Sequence, residues 1–410
     1  VRWNRRDFVK LTGSGLMLAA GGASLRALAA DPRIGPASLP QGALDSALFD
    51  VLPGKLPLIK KTYRPPNFET PVSYFNEPYT PNDAFFVRYH LAGIPQVDAA
   101  AWRLVVGGEA ADKPFELDLA ALKKDFEPVE IAAVCQCSGN RRGLSQPHVP
   151  GVEWGYGAMG NARWKGARLK DVLARAALRK DALEIVFDGA DGPVLDKTPD
   201  FVKSIPVWKA LDENALLAYE MNGEPLPHWN GFPVRLVIPG WTATYWMKHV
   251  TSLQAVSKPY NGFWMEKAYR IPKGKFPIVD RFISQETEAN TPITEMVVNS
   301  LITNLHDGSL LPAGKPAVVR GIAWDGGYGI RGVDISIDGG ASWQPAELGA
   351  DLGRFSWRQW TFGIASPQPG GFTLLARATN AIGATQTSDL LFNPAGYHNN
   401  VVQRLKIQVA

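Results

Sequence analysis

The 410 residues contain two cysteines, Cys135 and Cys137, and their setting limits the chemistry available. They stand in Val134-Cys135-Gln136-Cys137-Ser138-Gly139-Asn140-Arg141-Arg142. A disulfide between residues two apart closes a small, strained ring. No C-x-x-C-H motif occurs, so covalent c-type haem has no attachment site, and two cysteines fall short of the four ligands an ordinary iron–sulfur cluster needs. Two readings remain. Both thiols are buried and structural, or one thiolate binds a metal whose other ligands come from a cofactor. Arg141 and Arg142 place two permanent positive charges within five residues of Cys137, which favours the thiolate and attracts anions. Trp154 and Ala162-Arg163-Trp164 follow shortly.

Upstream, residues 85–91 (Phe-Phe-Val-Arg-Tyr-His-Leu) read as a strand. A period of two sets Phe86, Arg88 and His90 on one face. An arginine and a histidine facing inward need partners, which an anionic ligand would provide. The same pattern also fits the polar side of an edge strand. The other histidines, His148, His228, His249, His306 and His398, show no metal-ligand spacing and are expected to be structural, with an indirect role open to His249 beside Lys248.

These candidates need elements to hold them. Residues 31–80 are proline-rich without lasting periodicity and are expected to form an extended arm over the domain. A mixed α/β block is expected over residues 81–285. Its clearest helix spans 168–179, where Leu169, Val172, Leu173, Ala176 and Ala177 follow helical spacing. Residues 216–221 and 233–238 read as strands, with Asn222-Gly223 as a turn between them. Beyond residue 290 the texture changes to short β-runs divided by glycines: 318–324, the alternating Val333, Ile335 and Ile337, 355–362 and 372–378. Such spacing suggests an immunoglobulin-like sandwich over 290–410, giving an α+β fold class for the whole.

Length predicts two or three domains. The formal charge of +4 arises from 43 basic and 39 acidic residues. Residues 1–30 hold five of the former and one of the latter, so the remainder balances at 38 and 38. A neutral body lacks the basic footprint of a nucleic-acid binder. After residue 30 no apolar run approaches the ~20 residues needed to cross a bilayer, so stable membrane insertion is not expected. Residues 1–30 read as a twin-arginine signal peptide: Asn4-Arg5-Arg6-Asp7-Phe8-Val9-Lys10, a mild apolar stretch over 11–23, and Ala27-Leu28-Ala29 for cleavage. Export by that route carries folded proteins, which implies a periplasmic location and raises the expectation of a cofactor.

Taken together, Phe86-Val87-Arg88-Tyr89-His90, Cys137-Ser138-Gly139-Asn140-Arg141-Arg142, Ala218-Tyr219-Glu220-Met221-Asn222-Gly223-Glu224-Pro225-Leu226-Pro227 and Gly231-Phe232-Pro233-Val234-Arg235 with Pro239-Gly240 resemble the sulfite oxidase family of molybdenum enzymes. The resemblance covers most of residues 75–400 and is greatest to the haem-free periplasmic sulfite dehydrogenases of bacteria. It implies one molybdenum–molybdopterin per chain, no haem, and a sandwich that serves as a homodimerisation domain. By position it makes Cys137 the molybdenum ligand, a role that suits a soft thiolate. It places Arg88, Arg142, Trp154 and Tyr269 in the substrate pocket. Phe86, His90, Asp191, Asn230, Arg235, Trp246 and Lys248 fall along the pterin and its phosphate. Asn230 departs from the histidine usual in animals and plants. Cys135 has no family role and reads as a small buried hydrophobe. The implied reaction is oxidation of sulfite to sulfate with water as oxygen source, the electrons leaving to an external periplasmic c-type cytochrome. The alternatives are the molybdenum subunit of a sulfur- or thiosulfate-oxidising complex, and a periplasmic sulfoxide reductase of the same fold. A non-catalytic binding or adhesion protein built on the sandwich is a further rival. The paired arginines favour an anionic substrate over a neutral sulfoxide.

Overall fold

The computed structural model describes residues 48–274 and 289–410. The twin-arginine segment, residues 31–47 of the expected arm, and residues 275–288 lie outside the described residues.

From residue 48 the chain does not trail over the domain. Leu48–Asp50, Leu58–Thr62 and Asn67–Glu69 pair in sequence order into an antiparallel sheet. Its fourth strand is Val87–Arg88, which pairs with Asn67 and Phe68. The expected seven-residue strand over 85–91 is therefore only two residues long. Leu58, Phe68, Val87 and Tyr89 still form a small buried core beneath this sheet. Charge ties the layer down: both Glu69 carboxylate oxygens accept from backbone N–H groups, of Gly155 and Gly157, at 2.8 Å.

Two sheets build the next layer. In one, Lys203–Pro206, Glu184–Gly189, Val250–Val256, Leu104–Gly107 and Phe115–Leu117 lie in that spatial order. In the other, Pro128–Gln136 and Met159–Arg168 run antiparallel in unbroken register, and Met159–Arg168 pairs in turn with Leu216–Met221. The fully buried Leu169, Val172, Ala218, Leu236 and Leu253 lie in the core between elements. The periodic stretch over 168–179 yields the helix Leu169–Arg175. It ends early because Ala177 adopts a left-handed conformation, φ 52°. Asn222 and Gly223, at φ 55° and 85°, form the expected turn, since both central positions accept positive φ. The turn leads first to Glu224–Pro225, and Arg235–Val237 then pairs with the start of the same strand. Helices are short throughout the described residues, and none is long and apolar enough to cross a membrane.

After residue 290, Asn299–Ile302, Ala317–Trp324, Arg358–Ile364 and Glu347–Leu348 form one sheet. Leu310–Leu311, Gln403–Val409, Gly370–Asn380, Ile330–Ser336 and Gln344–Pro345 form the other. Buried Val319, Val333, Ile335, Trp360, Leu374 and Leu405 fill the space between. Gln403–Val409 alternates buried and exposed residues without a break, as a strand with one wet face must. Two expected runs shift. The alternating run ends at Ser336, leaving Ile337 exposed. The run from Phe355 begins pairing only at Arg358, because Phe355 and Trp357 are used elsewhere. Phe355 accepts a hydrogen bond from Val134 N–H at 2.9 Å, and Trp357 packs with Val134, Met159 and Trp324 in a shared core. The sandwich thus grips the strand that ends next to Cys137.

Candidate molybdopterin site

Cys137 follows directly on the strand Pro128–Gln136, and a tight turn fixes it. Its N–H donates to Ala158 O at 2.9 Å, its carbonyl accepts from Asn140 N–H at 3.0 Å, and Asn140 Oδ1 accepts from Ala158 N–H at 3.1 Å. Arg141 then takes a left-handed conformation, φ 69°, which sends the two arginines to different places. Arg141 is buried against the sandwich, donating to Asn299 Oδ1 and Val401 O at 2.6 Å each. Arg142 packs instead against Tyr397, its Cζ 5.1 Å from the ring centroid.

A cavity of about 600 Å³, counting its open mouth, lies against Cys137. Ten of the twelve residues singled out from sequence line it: Phe86, Arg88, His90, Cys137, Asp191, Asn230, Arg235, Trp246, Lys248 and Tyr269. Arg142 lines a neighbouring cleft with Arg88, Tyr269 and Tyr397, and Arg88 and Tyr269 border both spaces. Trp154 lines neither and is fully buried. The two cysteines separate here. Cys135 is fully buried and its sulfur receives an Arg235 N–H at 3.3 Å, whereas Cys137 borders the cavity. Burial pushes the Cys135 thiol up to about 11, against the pull of Arg235, so it stays a neutral thiol.

Positive charge dominates the wall, where Arg88, Arg235 and Lys248 face a single carboxylate, Asp191. Burial drives Lys248 well below the usual lysine range; Asp191 opposes this, and Arg235 and Arg88 add to it. Burial raises Asp191 in turn, against Lys248. His90 is pushed far down by burial and then by Arg88, Lys248 and Lys203. It is therefore neutral, lies flat on Phe201 with ring centroids 3.5 Å apart, and hydrogen-bonds through Nε2 to the Tyr269 hydroxyl. Burial also raises Tyr269, against Arg88, so its hydroxyl keeps its proton. His249 stays outside the cavity lining. Its Nδ1 donates to Phe232 O at 2.6 Å, so its Nε2 accepts from the Tyr89 hydroxyl at 2.7 Å.

A polar, anionic group fits this cavity. Arg235 Nε and Thr244 Oγ1 are buried without a hydrogen-bond partner although both residues belong to the wall, and an unmet buried donor is costly. Among the described residues no group of three or more His, Cys, Asp or Glu is placed to hold a metal ion. A metal beside Cys137 would therefore take its remaining ligands from a cofactor.

Comparison with known proteins agrees with this geometry. Residues 90–264 match the oxidoreductase molybdopterin binding domain, and residues 290–410 match the Mo-co oxidoreductase dimerisation domain. Sulfite oxidase of Gallus gallus is 34% identical over 391 residues, spanning 86% of this chain and 83% of its own. This chain belongs to the sulfite oxidase family. Mitochondrial sulfite oxidase of Homo sapiens is 37% identical over 332 residues, 78% of this chain and 59% of its own. The alignments reach only 59–64% of the length of the mammalian relatives. The sulfane dehydrogenase SoxCD of Paracoccus pantotrophus shares the fold, with a TM-score of 0.72 at 24% identity over 92% of both chains. As a sulfite oxidase family member the chain carries a molybdopterin binding domain followed by a Mo-co dimerisation domain. Cys137, Asp191, Asn230, Arg235, Thr244 and Lys248 all line the cavity and are the residues that would hold such a cofactor.

Sequence reasoning missed Lys55, Phe201, Lys203, Thr244 and Tyr397. Lys55 is the clearest case. It lies in what reads as a featureless arm, yet its buried ammonium donates to Asn82 O at 2.6 Å, Phe85 O at 3.0 Å and Asn230 Oδ1 at 2.5 Å. Asn230 in turn donates to Phe86 O, and its carbonyl accepts from Arg235 Nη1, both at 3.1 Å. Lys55→Met would strand three acceptors and is expected to destabilise the fold by roughly 2–5 kcal/mol, with several-fold less molybdenum per chain. Burial, then Asp83 and Arg235 in opposite senses, brings the Lys55 amine down to about 7. The unfolded chain holds this proton up to the ordinary 10.5, so stability from this group rises as pH increases from about 7 toward 10.5. The rise should be smaller in Lys55→Met. Thermal unfolding of the cofactor-free protein across that range, beside metal analysis, checks both; unchanged stability and occupancy would contradict the role.

Proposed function

We propose that this chain is a periplasmic sulfite dehydrogenase. It converts sulfite and water into sulfate, two protons and two electrons, and passes the electrons singly to an external c-type cytochrome. The observation that carries the reading is the position of Cys137 on a cation-rich cavity, whose Arg88 also borders a neighbouring cleft that bears Arg142. The bound molybdenum cofactor supplies oxygen-atom transfer and the two-electron redox change. The protein supplies placement and charge. Arg88 and Arg142 attract the dianion, in surroundings where fixed donors act more strongly than in water. Tyr269 donates its hydroxyl proton in a hydrogen bond, to His90 while the pocket is free and to the substrate when it is filled. Phe201 and Trp246 give the cavity apolar walls that limit water.

Purified, molybdenum-loaded protein should reduce ferricyanide and cytochrome c in a sulfite-dependent manner, and oxygen slowly. Loaded protein that moves no electrons from sulfite to any acceptor would overturn the reading. The location rests on the twin-arginine segment of residues 1–30, and cell fractionation tests it. The sandwich is expected to join two chains, since residues 290–410 match the Mo-co oxidoreductase dimerisation domain. Light scattering at micromolar concentration should give twice the chain mass; a monomer would contradict this.

A further inference from the structure

The cleft beside the cavity is completed by a loop from the sandwich. Asn393 closes that loop on itself, accepting from Tyr397 N–H at 3.1 Å and donating to Tyr397 O at 2.7 Å. The loop meets Arg142 along its length. Arg142 Nε donates to Ala395 O at 2.9 Å. At Gly396, φ +62°, an added Cβ would stand 2.8 Å from Arg142 Cγ. Added Cβ atoms on Gly139 and Gly151 would come within 2.8 and 2.7 Å of the guanidinium, so the three glycines leave space that the Arg142 side chain uses. The Tyr397 ring lies 5.1 Å from Arg142 Cζ and stacks on Tyr269 at 5.8 Å with an interplanar angle of 8°.

This packing is selective in what it uses. A guanidinium against an aromatic face engages its π surface and leaves its N–H edge available. Arg142 Nε is taken by Ala395 O and Nη1 points to Val152 O at 3.5 Å, while Nη2 makes no hydrogen bond to a described residue. Burial, together with Tyr269, raises the Tyr397 phenol, against Arg142, so Tyr397 offers a neutral ring and leaves the positive charge of Arg142 uncancelled.

We infer that Tyr397 is a positioning residue of the anion pocket: it holds Arg142 and Tyr269 in place, so that recognition of a small oxyanion is completed by the C-terminal domain. The identity of the anion rests on the sulfite reading above; the positioning role does not. The test is calorimetric titration of molybdenum-loaded protein with sulfate, which needs no turnover, beside steady-state kinetics with sulfite. Tyr397→Leu should weaken sulfate binding and raise KM for sulfite about tenfold, with a smaller change in kcat. Tyr397→Phe keeps the ring and should stay within about twofold of the parent for both. Should Tyr397→Leu fail to load, Tyr397→Met removes the ring with little loss of volume and carries the same expectation. Loaded Leu or Met variants that bind sulfate as tightly as the parent would overturn the inference, even with sulfite turnover intact. A parent protein that binds sulfate through Tyr397 but does not oxidise sulfite would overturn the substrate and leave the positioning role standing. A parent that binds no sulfate would overturn both.

Discussion

Cys137→Ser is expected to abolish sulfite oxidation, and Cys135→Ser to retain most of it. The two thiols sit two residues apart, yet the structure gives them different surroundings. Cys137 borders the cavity at the end of a strand, held by a turn that begins with its own carbonyl. Cys135 is fully buried, and its sulfur receives an Arg235 N–H at 3.3 Å. Serine at 137 replaces a soft sulfur ligand with a hard, weakly acidic hydroxyl that binds such a metal poorly. Serine at 135 keeps an acceptor for Arg235 in nearly the same volume. Equal loss of activity in both variants, with molybdenum still bound, would contradict the assignment of the ligand.

Arg88→Gln should lower kcat/KM for sulfite at least tenfold, about 1.4 kcal/mol of transition-state stabilisation. Arg88 belongs to both the cavity and the cleft. It donates to Asn67 Oδ1 at 3.3 Å and to the Tyr269 hydroxyl at 3.4 Å, both neutral groups, so its charge is not spent on a carboxylate there. Lys248→Gln should act differently. Lys248 donates to Arg88 O at 2.5 Å and faces Asp191 and Arg235, so its loss should lower cofactor occupancy while activity per bound molybdenum stays near normal. A body balanced in charge gives little long-range steering, so added salt should weaken sulfite binding only by screening at the pocket. Kinetics per molybdenum across a salt series separates the roles. Unchanged sulfite kinetics in Arg88→Gln would place the anion elsewhere.

The parts of the site that were legible in sequence are those carried by contiguous motifs. Phe86, Arg88 and His90 lie within a few residues of one another and reach one cavity, while Cys137 and Arg142, equally close in sequence, border two neighbouring spaces that share Arg88 and Tyr269. Even there the reason differed from the expectation. Phe86, Arg88 and His90 reach the same cavity, but only Val87–Arg88 is paired as strand, so aromatic packing and the Lys248 contact, more than pleating, direct them. Lys55 and Tyr397 were invisible because nothing local marks them. Lys55 acts on Asn230 from 175 positions away, and Tyr397 reaches Tyr269 from the other domain. The sandwich strands were legible wherever one face is wet, as at Gln403–Val409, which alternates fully. The run from Phe355 was misplaced because Phe355 enters the neighbouring domain's core and Trp357 a core shared by both domains, and period-two patterning carries no information about which core a side chain enters.

Sulfite oxidation at a molybdopterin centre beside Cys137 would leave the first two electrons on the protein itself. A single-turnover experiment tests it without reference to any electron acceptor. Oxidised, molybdenum-loaded protein is mixed anaerobically with excess sulfite, and sulfate is quantified by ion chromatography. The expected result is one sulfate per molybdenum, formed in a single phase, since a two-electron centre with no outlet stops after one turnover. Fully loaded protein that forms no sulfate would contradict the account.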